Sequence, residues 1–179
     1  FEPWAGYAVQ STSDSGKITF YPIQDTTIAA RTANSGWRLN LDLSSNSSFD
    51  RTSAIGRCDA CEENVDMNDM LLLPSLTQRV YISLDISNDG QFDHSKDLRS
   101  TSEFNGVWNM RVNRPNAEGS LTLKGAYEND RPNDLVLMIV NVSTREVLKN
   151  FPVESFELSN MNSEFNDFKI VAGEEAYVL

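Results

Sequence analysis

The sequence predicts an all-β chain: an antiparallel β-sandwich of the jelly-roll or Ig-like kind, with a short N-terminal β-hairpin before it. Three observations lead to this prediction. Apolar and polar residues alternate with period two along several segments, as in strands that have one buried face. Turn-forming residues separate these segments at intervals of about 8–12 residues, a spacing typical of sandwiches. No stretch of 12 residues has a strong helical period, so helices are expected to be short or absent.

The first part of the chain predicts a small separate element. Residues 1–22 contain two apolar segments around a polar turn and end at Pro22, as expected of a β-hairpin. Residues 23–36 are polar and rich in Thr and Ala, and we interpret them as a linker to a sandwich at 37–179. The chain opens without a basic or apolar leader, so we interpret it as a piece of a larger protein. The hairpin belongs either to the sandwich or to the end of a preceding domain.

The predicted strands of the sandwich are segments in which apolar side chains recur at every second position. These segments are 37–43, 80–86, 108–112, 121–123, 156–158 and 168–170. The continuous apolar run at 135–140 instead favours a central strand that is covered on both faces. Trp37 and Trp108 stand in phase with aliphatic neighbours, so both are expected in the core. Residues 62–73 are expected to contain at most one turn of helix.

Composition excludes several classes of function. Lys and Arg total 15 and Asp and Glu total 26, which gives a formal net charge of −11. Such an acidic surface repels phosphate backbones, so no nucleic-acid partner is expected. No apolar run approaches the length of a membrane span. The single histidine, His94, lies in a polar segment and is expected to be a solvated loop residue outside any catalytic triad. The chain is therefore predicted not to be an enzyme, and a hydrolase that uses a pair of carboxylates is the alternative.

Two cysteines form one C-x-x-C pair, Cys58 and Cys61. One such pair supplies only two of the four ligands of a structural zinc site. A redox dithiol normally opens a helix after a strand of a βαβ unit, and no such pattern precedes Cys58. The pair therefore favours a small loop disulfide formed in an oxidising compartment, outside the cell or at its surface. Free thiols, or a metal or redox role, are the alternatives.

Residues 85–93 resemble the start of an EF-hand calcium loop. Gly90 stands at the sharp turn, but Lys96 occupies the twelfth position, where such a loop needs a bidentate glutamate. The segment is therefore either a plain hairpin turn or a calcium site. The candidate ligands at positions 1, 3, 5 and 9 are Asp85, Ser87, Asp89 and Asp93.

A second acidic segment follows the first cysteine. Its five carboxylates repel each other unless water solvates them or a cation bridges them, and the sequence leaves both alternatives open. They belong to Asp59, Glu62, Glu63, Asp66 and Asp69.

Two tyrosines are candidates for an aromatic platform on which a sugar could stack. Tyr81 stands on the opposite phase from Val80 and Ile82, which predicts an exposed ring. Tyr127 lies in a segment interpreted as a loop. These two residues would carry the ligand site of a carbohydrate-binding module.

Short motifs along the chain resemble, in the same order, those of one kind of module. Trp4-Ala5-Gly6-Tyr7 with Pro22 is similar to the end of a preceding element in that module's parent proteins. The C-x-x-C pair and a single proline in the loop depart from the pattern. The other matching segments are Trp37-Arg38-Leu39-Asn40-Leu41, Ala54-Ile55-Gly56, Asp66-x-x-Asp69 with Pro74, Asp97-Leu98-Arg99, Trp108-Asn109-Met110-Arg111-Val112 and Phe168-Lys169-Ile170-Val171-Ala172-Gly173. The chain thus resembles the C-terminal, non-catalytic β-sandwich modules of large secreted proteins, often peptidases, from Bacteroidetes-like and related bacteria.

The resemblance implies an accessory or interaction module at the cell surface or outside the cell. Such a module stabilises or spaces a neighbouring domain of the same polypeptide, and the family has no catalytic residues to transfer. Two other functions stay open. One is a carbohydrate-binding module with a polysaccharide partner, and the other is a structural subunit that assembles through edge strands.

Overall fold

The computed structural model describes residues 36–72, 79–115, 120–128, 131–148, 151–152, 155–158 and 164–179. All of them fall within one compact unit, Asn34–Leu179. The predicted hairpin at 1–22 lies outside the described residues, and so does the predicted linker at 23–36 except for Gly36, which begins the first strand.

The described residues form an all-β fold, which confirms the predicted class. A four-residue helix, α1, follows the last strand at Glu175–Val178. No helix in the described ranges has the length and apolar composition needed to cross a membrane. The strands are β1 Gly36–Ser44, β2 Phe49–Cys58, β3 Met70–Leu71, β4 Tyr81–Asp85, β5 His94–Ser100, β6 Gly106–Asn113, β7 Leu121–Tyr127, β8 Val136–Asn141, β9 Val147–Leu148, β10 Phe156–Leu158 and β11 Phe165–Gly173.

These strands belong to a single sheet that has two halves. Its order is β10-β7-β1-β2-β5-β4-β6-β11-β8-β9, with β3 added beside β5. The halves join at β4 and β5, which share the register pair Leu84 and His94. The pairs are antiparallel except for β2 and β5, which run parallel, so the predicted antiparallel pattern has one exception. The chain between β2 and β5 makes a crossover that contains β3 and β4, as a parallel pair requires.

The inward-facing side chains of both halves share one hydrophobic core. Leu39 and Leu41 of β1 face this core from one half, and Met110 of β6 and Phe168 of β11 face it from the other. This common core is why the single sheet curls so that its halves face each other.

Both tryptophans lie in this core, as predicted. The Trp108 side chain is fully buried and Trp37 is 3% exposed. Their ring centroids lie 5.5 Å apart in an edge-to-face arrangement, which is one of the geometries that aromatic pairs prefer.

Strand β8 corrects the interpretation of the apolar run at 135–140. Leu137 and Ile139 face the core, while Met138 and Val140 between them are half-buried. β8 also lies second from the end of the sheet and not at its centre. The run is therefore a strand with one face in the core, and its other face was predicted wrongly to be covered.

Two strands, β2 and β5, do not follow the apolar alternation from which the other strands were predicted. The inward positions of β5 hold Ser95, Asp97 and Arg99, which are buried polar residues. Residues 62–72 contain turns and the short β3, and no helical turn. The polar strand β5 and the turns at residues 62–72 both form part of the candidate site.

Candidate functional site

The segment 58–72, which we call the acidic loop, begins with a disulfide. Cys58 ends β2 and is bonded to Cys61, and their Cα atoms lie 5.3 Å apart, a normal spacing for a disulfide. The Cys61 N–H donates to the Cys58 carbonyl at 3.2 Å, which closes a tight turn. The predicted pairing is confirmed.

Removing this disulfide is expected to destabilise the protein moderately. The bridge closes a very short ring, so loop entropy alone predicts about 2 kcal/mol for the Cys58→Ser, Cys61→Ser double variant. Urea unfolding of the two proteins measures the difference. Adding a reductant should lower the unfolding free energy of the parent chain and leave the double variant unchanged. Equal values for oxidised and reduced parent would contradict the prediction.

Carboxylates build the acidic loop by accepting hydrogen bonds from its backbone. Asp66 accepts from the N–H groups of Glu62 at 2.7 Å and Asn68 at 2.5 Å. Slight burial acts to raise the pKa of Asp66, but these hydrogen bonds lower it below the usual value. Asp69 accepts from the N–H of Asp66 at 2.9 Å and from that of Leu98 on β5 at 2.9 Å. Burial raises the pKa of Asp69, and the nearby Asp97 carboxylate adds to this effect.

The other carboxylates of the loop point to separate partners. Glu63 pairs with Arg57 at 2.7 Å, and Asp59 accepts a hydrogen bond from the Thr101 hydroxyl at 2.7 Å. Within the part of the chain that the structure describes, no three or more His, Cys, Asp or Glu residues gather to hold a metal ion. Four of the five acidic residues, all except Glu62, therefore bond to separate partners, and within the described residues they do not converge on one point.

The base of the acidic loop is fixed to β5. Besides the bond from Leu98 to Asp69, the Leu72 N–H donates to the Asp93 carbonyl at 2.7 Å. The Ser95 hydroxyl donates to the Met70 carbonyl at 3.3 Å, and β3 pairs with β5. These hydrogen bonds thus hold the base of the acidic loop against β5.

Large apolar side chains project from this loop into solvent. Met67 is 95% exposed, and three others within residues 65–71 are at least 41% exposed. Exposed apolar clusters with a polar rim mark interaction surfaces in soluble proteins. Sequence reasoning missed this feature, because apolar residues in such a segment ordinarily turn inward. The other three residues are Val65, Met70 and Leu71.

Beneath the acidic loop, two arginines approach the buried Trp108 ring. The Arg57 guanidinium donates to the carbonyls of Ser100 and Asn105 and lies 5.7 Å from the ring centroid. The Arg99 guanidinium lies 4.9 Å from the same centroid. Both contacts are within cation–π range.

Asp97 and Arg99 form a buried ion pair on the inner face of β5. Arg99 Nη2 lies 2.9 Å from Asp97 Oδ2, and Arg99 Nη1 donates to the Val107 carbonyl at 3.0 Å. Asp97 is 1% exposed and Arg99 is 9% exposed. Burial raises the pKa of Asp97, while the hydrogen bonds and charge of Arg99 oppose that rise. Through the bond from Arg99 to the Val107 carbonyl, the motif Asp97-Leu98-Arg99 thus links β5 to β6.

The segment 85–93 forms a tight loop around the Asp85 carboxylate. Asp85 is buried and accepts from the N–H of Asp89 at 3.2 Å and of Gly90 at 3.0 Å. Asp89 in turn accepts from the N–H of Gln91 at 2.9 Å, and Ser87 is exposed. Gly90 has a φ of 84°, which favours glycine. These contacts account for the turn alternative, and the calcium site stays a prediction.

The prediction that His94 is a solvated loop residue was wrong. His94 begins β5 and is 6% exposed, and its Nδ1 lies 2.7 Å from Asp93 Oδ1. It is buried because β5 continues the sheet through a segment whose polar sequence indicated a loop. Asp93, the fourth candidate calcium ligand, is thereby held beside His94.

The structure does not bring the two candidate sugar-binding tyrosines together. Tyr81 begins β4 on the phase opposite the buried Ile82 and is half-buried. Tyr127 ends β7, so the interpretation of its segment as a loop was wrong, and its ring packs against the core with its centroid 6.3 Å from that of Trp37. Burial raises the pKa of Tyr127. Its ring is engaged by the core on one side, and the role of both tyrosines in sugar binding remains a prediction.

Comparisons with protein-family models, with curated proteins and with solved structures gave no match for this chain.

Proposed function

We propose that this chain is a non-catalytic accessory module of a secreted or cell-surface bacterial protein. In this proposal the acidic loop contacts a neighbouring domain of the same polypeptide. The observation that carries the proposal is the exposure of Met67 and its apolar neighbours on a loop that is fixed at its base. A bacterial source and a place beside a larger domain come from the family resemblance described above.

We also propose that the sheet is a variant of the antiparallel sandwich of the jelly-roll or Ig-like kind. The shared core between the two halves supports this assignment, and so does their single junction at β4 and β5. The disulfide supports an extracellular or cell-surface location, because such bonds persist in oxidising compartments.

The chemistry of the loop indicates what its partner surface is like. Exposed Met and Leu side chains suit an apolar depression, because flexible methionine adapts to irregular surfaces. The exposed Glu62 and the half-buried Asp66 of the acidic loop favour basic residues at the rim of that depression. The expected partner surface is therefore apolar at its centre and positively charged at its edge.

Two alternative functions have less support. A stacking platform for sugars needs exposed rings, and the Tyr127 ring packs against the core. Assembly through edge strands needs long free edges, whereas the strands at the ends of the described sheet, β10 and β9, have three and two residues.

Photo-crosslinking in the full-length parent protein tests the proposal. A benzoylphenylalanine is placed at Met67, and the crosslinked peptides are identified by mass spectrometry. We expect crosslinks to residues of the same polypeptide that lie outside this chain, since the loop is expected to touch a neighbouring domain.

Val142 provides the matched control position. It is 47% exposed and lies in the turn after β8, a strand that three others separate from β5, which supports the acidic loop. Its crosslinking yield gives the background for an exposed apolar residue. A yield at Met67 no higher than this background, or crosslinks to a different protein only, would rule out the proposed contact.

A further inference from the structure

The sulfur atoms of this chain differ sharply in their access to solvent. The chain has two cysteines and five methionines. The cysteines are bonded to each other, so no thiol is free. Met110 is fully buried and Met138 is half-buried, whereas Met67 is 95% exposed and Met70 is 41% exposed. Met161 lies outside the described residues. The thioether of Met67 is therefore the most accessible sulfur in the described part of the chain.

Hydrogen bonds on both sides of Met67 fix the backbone that presents it. Asp66 precedes it and accepts from the N–H groups of Glu62 at 2.7 Å and Asn68 at 2.5 Å. Asn68 follows it, and its Nδ2 donates to the Ala60 carbonyl at 2.9 Å. The two neighbouring side chains thus bond back into the acidic loop, and the Met67 side chain between them is left in solvent.

An exposed thioether reacts with hydroperoxides. The sulfur attacks one oxygen of hydrogen peroxide, and the O–O bond breaks as the S–O bond forms. The leaving oxygen takes up the proton of the attacked oxygen, so the peroxide is reduced to water while methionine undergoes a two-electron oxidation to its sulfoxide. Because this chain has no free thiol to compete and susceptibility follows exposure, Met67 is expected to react first among the described residues.

The sulfoxide changes the surface on which the proposed function depends. Its S–O group is polar, whereas the expected partner surface is apolar at its centre. Burying a polar group there without a hydrogen-bond donor is unfavourable, so the contact weakens. The fold itself should keep its stability, because a side chain in solvent contributes little packing.

We infer that Met67 is a reversible oxidation site, and that its sulfoxide releases the acidic loop from the neighbouring domain. The release rests on the proposed function, whereas the oxidation site rests on the exposure of Met67 and the paired cysteines. Contact and oxidation oppose each other, because a docked Met67 is covered and an oxidised Met67 docks poorly. The contact therefore opens in the presence of hydroperoxides and closes again when a methionine sulfoxide reductase restores the thioether.

Treatment of the folded chain with hydrogen peroxide, followed by peptide mass spectrometry, tests the oxidation site. We expect Met67 to gain one oxygen at least about ten times faster than Met110 and Met138. The melting temperature should not change when Met67 alone is oxidised. The urea-unfolded chain is the control, and all its methionines should react at similar rates. A rate for Met67 no higher than the rates for Met110 and Met138 in the folded chain would overturn the inference.

Photo-crosslinking in the full-length parent protein tests the release. A benzoylphenylalanine at Val65, which is 49% exposed in the same loop, reports the contact and leaves Met67 able to react. We expect its crosslinks to the neighbouring domain to fall at least about threefold after peroxide and to recover after treatment with methionine sulfoxide reductase. Met67→Leu removes the sulfur and keeps an apolar side chain, so its own yield should be the same with and without peroxide. Met138→Leu, the matched control on β8, should respond to peroxide as the parent chain does.

The outcomes separate this inference from the proposed function. Crosslinks at Val65 that persist after Met67 is fully oxidised overturn the inference and leave the proposed contact in place. A peroxide-dependent fall of equal size in Met67→Leu also overturns it, because another residue is then responsible. Crosslinks no higher than background before peroxide rule out the proposed contact and the release with it, while the peptide measurement still decides the oxidation site.

Discussion

Replacing Arg99 with methionine is expected to destabilise the protein by about 3–5 kcal/mol, because the change leaves the Asp97 carboxylate buried without its partner. Asp97 is 1% exposed, and Arg99 supplies its counter-charge at 2.9 Å. The change also removes the donor to the Val107 carbonyl. Urea unfolding followed by circular dichroism measures the loss.

The effect should depend on pH in a definite direction. Burial already raises the pKa of Asp97, and removal of Arg99 raises it further. When a carboxyl group has a higher pKa in the folded state than in the unfolded chain, the folded state favours its protonated form. The resulting contribution to stability is fully present below the pKa of the unfolded chain and is lost as the pH rises through the pKa of the folded state. The deficit of Arg99→Met should therefore narrow as the pH falls from about 7 to about 4. A deficit that is independent of pH would assign the loss to packing alone.

Two controls separate the buried charge from general damage. Arg51→Met removes an arginine of similar size from the exposed pair with Asp42 and should cost about 1 kcal/mol or less. The double variant Asp97→Leu, Arg99→Met removes both charges, and it should be more stable than Arg99→Met. The ion-pair explanation is wrong if the double variant loses as much unfolding free energy, relative to the parent chain, as the Asp97→Leu and Arg99→Met single variants lose together.

Replacing Trp108 with alanine is the second change with a large expected effect, about 3–5 kcal/mol. The side chain is fully buried, touches Trp37 edge to face, and lies beneath the guanidinium groups of Arg57 and Arg99. Its removal leaves a cavity and exposes two arginines to a void. A loss of this size corresponds to roughly 6–20 °C in the melting temperature.

Phe49→Ala is the matched control for Trp108→Ala, since Phe49 is 58% exposed on β2. Its loss should be about 1 kcal/mol or less, because little buried surface disappears. The near-ultraviolet circular dichroism of the folded protein should change strongly in Trp108→Ala and little in Phe49→Ala. Similar melting temperatures for the two variants would contradict the central place of Trp108 in the core.

The strands that could be predicted are those whose inward positions are apolar. In β1 and β6, tryptophan and aliphatic residues alternate with polar ones, so the pattern alone identified both strands and the core position of Trp37 and Trp108. The disulfide was predictable for a local reason, because its two cysteines are three residues apart.

Strand β5 could not be predicted in the same way, because its inward side chains are charged. Asp97 and Arg99 neutralise each other only after the strand is in place, and a pattern of apolar and polar letters does not reveal such a pair. His94 was misjudged for the same reason.

The position of β11 has a consequence for the timing of folding. β11 lies between β6 and β8, and it supplies Phe168 and Ile170 to the core. Each of these pairings joins segments far apart in the chain, which makes folding slow relative to folds built from local contacts. During synthesis, a nascent chain that has not yet released β11 leaves Trp108 and Met110 of β6 without their neighbouring strand. Apolar surface exposed in this way is what makes incompletely folded chains prone to aggregate.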